Sequence, residues 1–176
     1  MFFNLFGDLM PSGTLYAPDG RMYIRKSMLE EFTFCPYKFK RVWIDGVEKR
    51  PNQAMLMGTR FHDFAEKFFD YCLGITPDRW DGFIPRQFIP EEAEMAKWFI
   101  ERERGRYYEL SDANRLDEFM PIAREDTMTS STLLLTSTVD RIDWFDKSKD
   151  QISIVEYKTG RKVNEESLIR QLAFYT

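Results

Sequence analysis

The stretch from Leu133 to Lys158 constrains this chain most. It reads Leu-Leu-Leu-Thr-Ser-Thr-Val-Asp-Arg-Ile-Asp-Trp-Phe, a polar segment Asp-Lys-Ser-Lys-Asp, then Gln-Ile-Ser-Ile-Val-Glu-Tyr-Lys. Two runs rich in β-branched and aromatic residues around a short polar segment predict an antiparallel hairpin. A turn centred near Ser148 puts Asp140 eight residues before it and Glu156 eight after it. The two carboxylates then face each other across the ladder, with Cβ atoms roughly 4.5 to 5.5 Å apart. Like charges held that close repel, and a bound cation is a natural reason to keep them together. Because side chains alternate, Lys158 shares the face of Glu156. Two acids and a lysine beside an apolar strand face make a candidate hydrolytic metal site.

The chain of 176 residues is long enough for one well-packed domain, and its 43% hydrophobic and 31% charged content is that of a globular protein. The net charge of -4 does not announce a nucleic-acid binder, but acids gathered round a metal lower the total while basic strips elsewhere touch phosphates. Two cysteines, Cys35 and Cys72, indicate no disulfide framework and favour a reducing, cytoplasmic setting. Residues 1–10 are apolar but lack a basic start, contain Asp8 and run into Pro11-Ser12-Gly13, a poor signal peptide. No apolar run approaches the roughly 20 residues a bilayer span needs, so no membrane association is expected.

Upstream, Pro18-Asp19-Gly20 has the chemistry of a turn between two short strands. Ser27 and Glu30 have capping-box spacing, predicting a helix from about Met28 that Pro36 interrupts and Gly46 ends. Lys38, Lys40, Arg41, Lys49 and Arg50 interleave there with Phe39 and Trp43, either as a solvated basic face or as a phosphate-contacting strip. A second helix is expected from about Ala54 to Cys72. His62 and Glu66 share one of its faces, with Gly58 a turn earlier, where a backbone or ligand could approach closely. Taken alone, such a histidine reads sooner as a packed residue than as a ligand. Residues 76–90 read as a loop, Pro90 opens a helix to about Leu110, and residues 119–128 read as a strand containing Glu125. Asn164 is a candidate cap for a last helix carrying Gln171 and Tyr175 one turn apart. That helix stops at Thr176 without a cap, so a truncated C-terminus is expected.

A carboxylate on one strand and Glu-x-Lys on its partner is the minimum pattern of the PD-(D/E)xK phosphodiesterases. Here Gly58-x-x-x-His62-x-x-x-Glu66, Asp140-Arg-Ile-Asp, Glu156-Tyr-Lys-Thr-Gly and Gln171-x-x-x-Tyr175 occur in order, with Phe34-Cys35-Pro36-Tyr-Lys-Phe ahead of them. This set resembles the RecB-like nuclease family, over roughly residues 27–176. The resemblance implies an α/β, restriction-endonuclease-like fold, with a central mixed sheet flanked by helices. Residues 1–26 would then be an N-terminal segment with a small hairpin. Residues 27–176 would be the nuclease domain, helical over 27–114, with the catalytic sheet and helix over 115–176.

The resemblance further implies that His62, Asp140 and Glu156 bind a divalent metal, with the carbonyl of Tyr157 completing the protein ligands. Lys158 would orient or activate the attacking water and offset phosphate charge, Gln171 and Tyr175 would position substrate or catalytic groups, and Glu125 would be a secondary acid. Asp143, three residues beyond Asp140 and so on the other face, reads as structural. Phosphodiester hydrolysis needs an in-line water, a charge sink and help for the leaving oxygen. Hard oxygen ligands suit Mg²⁺ or Mn²⁺, and one imidazole makes Mn²⁺ the more welcome. The function implied is a metal-dependent deoxyribonuclease, exo or endo, in DNA repair, recombination or defence. It would act on single-stranded DNA or DNA ends, with a helicase or another repair or defence protein as partner. The competing expectation is a non-catalytic nucleic-acid-binding or scaffold subunit on the same fold. Some family members, the CRISPR adaptation nucleases among them, hold an iron-sulfur cluster with a cysteine near the N-terminus and three after the Gln-x-x-x-Tyr helix. Cys35 matches the first, but the chain ends before the others, so no iron-sulfur cluster is expected. Cys35 is read as a small buried hydrophobe.

Overall fold

Phenylalanines at helical spacing build the larger part of the interior. In the computed structural model, which describes residues 15–146, 148, 150–160, 169 and 173, the chain divides into two compact units. Among the described residues, one comprises 52–126 and 139–160, the other 15–51, 127–138, 169 and 173.

The first unit is organised on two helices, α3 (Gln53–Cys72) and α4 (Pro90–Asp112). Asn52 caps α3 through its side chain, which accepts from the Met55 amide at 2.9 Å. Pro90 opens α4 at its first position, where a missing N–H costs nothing. Phe61, Phe64, Phe68 and Phe69 of α3 meet Phe99 of α4 in a buried aromatic cluster. Phe68 is fully buried, with ring centroids 5.2 Å from Phe99 and 5.3 Å from Trp80, both edge to face. Residues 76–90, expected as a loop, contain a 3₁₀ helix, Pro77–Phe83. Burial of Trp80, whose indole N–H donates to the Ile75 carbonyl at 3.1 Å, folds it over α3.

The sheet has three strands in the order β1 (Ala123–Ser130), β2 (Leu135–Trp144), β3 (Ile152–Val155). The fold is mixed α/β, as expected. The strand expected over residues 119–128 begins four residues later, because Phe119 turns into the aromatic core and Pro121 follows it. β2 and β3 pair antiparallel with Arg141 opposite Val155 and Trp144 opposite Ile152. This is the register of a turn centred on Ser148. β1 and β2 place Thr127 against Thr138 and Thr129 against Thr136, hydroxyl to hydroxyl, at 3.0 and 3.2 Å.

The second unit begins with the expected turn at Pro18-Asp19-Gly20, closed by a Tyr16–Met22 bridge with Gly20 at φ +84°. Ile24 pairs with Leu135. The first helix, α1 (Lys26–Phe34), starts ahead of the expected point, so Ser27 and Glu30 lie inside it and Glu30 pairs with Lys26 instead of capping. Pro36 opens α2 (Pro36–Phe39), followed by a π-helical turn, Lys40–Ile44. Cys35 is half-buried, not buried as expected, and its thiol accepts from the Lys38 amide as the cap of α2. The other cysteine, Cys72, is a buried free thiol that burial pushes up to about 12. Among the described residues no helix is long and apolar enough to cross a membrane.

Candidate metal centre

α3 turns its phenylalanines into the core, and His62 sits beside Phe61 at the margin of that apolar face. Its ring packs edge-on against Tyr157, centroids 5.9 Å apart, and its side chain is half-buried. Nδ1–H donates to Glu125 Oε1 at 2.9 Å and lies 3.4 Å from Asp140 Oδ1. Asp140 is the more buried acid and contributes most to holding the proton; with Glu125 it raises the imidazole to about 9 against the effect of burial. Burial pushes the Glu125 carboxyl up, the His62 cation pulls it down, and the nearby Asp140 and Glu66 add to the rise.

Each acid is aimed by its own strand. β1 is pinned to α3 by Arg124, whose guanidinium donates to the Glu66 carbonyl at 2.5 Å and to Asp70 at 2.8 Å. The next residue, Glu125, adopts φ +43°, a left-handed conformation inside a strand that turns its carboxylate onto His62. On β2, Asp140 Oδ2 accepts the Tyr157 amide at 2.5 Å, leaving Oδ1 toward the imidazole. One ligand atom each from His62, Glu125 and Asp140 lies within 4.8 Å of the others. One imidazole nitrogen and two carboxylates make a donor set that suits a divalent cation.

Alternation sends Arg141 to the opposite face of β2. Its guanidinium donates to Glu103 at 2.7 Å and to the Tyr157 hydroxyl at 3.2 Å, and pairs with Asp143 at 2.9 Å. Arg106 holds the other oxygen of Glu103 at 2.8 Å. Asp143, expected to be structural, belongs to this buried network, and burial raises its carboxyl against the pull of Arg141. The network ties β2 and the residues after β3 to α4, which fixes Asp140 from behind.

The ladder ends at Arg141–Val155, one step short of Asp140 and Glu156. Glu156 is not in the three-ligand group; its carboxylate accepts from Lys158 Nζ at 2.6 Å. Tyr157 is the link, its amide on Asp140 and its ring beside His62. Thr159 stands close to Gly58, where an added Cβ would come within 3.3 Å of Thr159 Oγ1, so the glycine permits the approach of the chain after β3 to α3. Gly58, His62, Glu66 and Glu125 line an open cleft of about 440 Å³. Gln171 and Tyr175 lie outside the described residues.

The basic strip is largely paired within itself. Lys38 and Lys49 meet Glu31 at 3.0 and 2.6 Å, and Lys40 and Arg41 meet Asp45 at 3.0 and 3.1 Å. Its acids answer four of its five cations, which favours the solvated-face reading. The residues that sequence patterns did not single out are Arg124 and Glu103, whose contacts with α3 and with Arg141 arise only in the folded chain.

The family model described as the PD-(D/E)XK nuclease superfamily matches residues 26–176, and the chain belongs to that superfamily. No curated protein and no solved structure matches the chain significantly.

Proposed function

We propose that this chain is a Mg²⁺- or Mn²⁺-dependent deoxyribonuclease of the RecB-like kind, whose metal is held by His62, Asp140 and Glu125. The convergence of these three side chains, carried on α3, β2 and β1, supports the reading, in a chain that belongs to the PD-(D/E)XK nuclease superfamily. A divalent metal held by His62, Asp140 and Glu125 would supply Lewis acidity toward the phosphoryl oxygens and lower the pKa of water. Glu156 and the Tyr157 carbonyl are the further ligands in this reading, since they adjoin Asp140 through the Tyr157 amide. Lys158, ion-paired to Glu156, offsets charge on the phosphate and orients the attacking water. Gln171 and Tyr175 position the substrate backbone. Arg124, Arg141 and Glu103 keep the acids aimed.

The decisive measurement is cleavage of single- and double-stranded DNA with Mg²⁺ or Mn²⁺ by the wild type, Asp140→Ala and Lys158→Ala. The wild type should cleave, and each variant should lose at least about a hundredfold in rate. Equal rates in all three overturn the assignment. A wild type that binds DNA but cleaves with neither metal is the non-catalytic subunit instead.

A further inference from the structure

Trp98 stands on α4 with 72% of its surface exposed, although its neighbours Phe99 and Ile100 are buried. The indole thus presents a large, flat aromatic face to solvent. Trp98 and Arg102 line an open cleft of about 760 Å³ that Glu156, Lys158 and Thr159 also line. The two α4 residues lie four apart on one helical face, so Arg102 sits about 6 Å beyond Trp98 along the axis. The acids lining this cleft are already matched: Glu101 by Arg104, Glu103 by Arg106 and Arg141, Glu156 by Lys158. Arg102 has no ion pair among the described residues.

We propose that Trp98 is a positioning residue for a single nucleic-acid strand, whose base stacks on the exposed indole while the adjoining phosphate meets Arg102. The inference rests on the nuclease reading, because the same cleft holds Glu156 and Lys158. Stacking on an aromatic face is open to any unpaired base and closed to bases inside a duplex. A cation one turn away supplies the complementary charge for the backbone. The strand so held would run along the residues that follow β3, toward the Glu156–Lys158 pair.

The test is fluorescence anisotropy with labelled oligothymidylate and with an abasic strand of equal length, in EDTA, where a metal-dependent site cannot cleave the probe. The wild type should bind oligothymidylate more tightly than the abasic strand. Trp98→Ala should lose roughly five- to a hundredfold for oligothymidylate and nothing for the abasic strand, and Trp98→Phe should recover part of the loss. Circular dichroism and light scattering accompany each variant. Equal affinity of Trp98→Ala and wild type for oligothymidylate overturns the inference. So does a wild type that does not distinguish the two probes, or a Trp98→Ala that changes only self-association. Cleavage that needs Asp140, together with unchanged oligothymidylate binding by Trp98→Ala, sinks this inference and leaves the nuclease reading standing. Absence of cleavage by the wild type sinks that reading, and the role of Trp98 is then decided by the anisotropy alone.

Discussion

Glu31 lies buried between two lysines and an indole. Burial alone would raise its carboxyl. Hydrogen bonds from Lys49, Lys38 and the Trp43 N–H, at 2.8 Å for the indole, outweigh that and hold it at about 2. A depressed acid contributes stability that is complete above its unfolded value of 4.5 and lost as pH falls through about 2. Both lysines are more than a third exposed, so solvent and salt trim the gain. Urea unfolding of the wild type should weaken more steeply between about pH 5 and pH 3 than that of Glu31→Gln. Identical slopes would show that the pairing adds nothing. The sequence left open whether this basic strip grips phosphate, because the acid that answers Lys38 and Lys49 is placed only by tertiary folding.

The hairpin was the most legible element. Two runs rich in β-branched and aromatic residues around a short polar turn set the pairing, and a slip of one residue would exchange the two faces of the strand, carrying Asp140 to the side of Arg141. β2 and β3 therefore pair as read. Elements whose limits depend on packing were less legible. The 3₁₀ helix Pro77–Phe83 exists because Trp80 has a core to enter, and β1 starts late because Phe119 enters that core too. The capping-box spacing at Ser27 was real in sequence but unused, since the helix begins ahead of it. The α3–α4 pair is the element on which the rest leans, and Phe68 lies at its centre. Phe68→Ala should cost about 3–5 kcal/mol in denaturant unfolding, by lost burial and the cavity left behind. A loss below about 1 kcal/mol would mean that the aromatic cluster closes over the gap.

In the whole molecule, binding of a metal at the proposed site would add to the stability of the fold. A ligand that binds only the folded chain stabilises it by about 2.7 kcal/mol at a hundred times its Kd. Thermal unfolding should move up with Mn²⁺ in the wild type and stay in place in Asp140→Ala; an equal shift in both would put the metal elsewhere. The ordered motifs made His62, Asp140, Glu156 and Lys158 the candidates through their resemblance to the RecB-like pattern. They gave Glu125 only a secondary place, because the bend that aims it is a backbone event without a side-chain signature. That bend, φ +43° in a strand, is a conformation in which glycine or asparagine would rest with less strain. Either would also remove the repulsion with Asp140. Left to drift without demand for the carboxylate, the position should wander to those residues long before Phe68 changes. In the proposed metal reading Glu125 would thus be a molecular tally of continued use: a descendant that had abandoned the chemistry should show it there first.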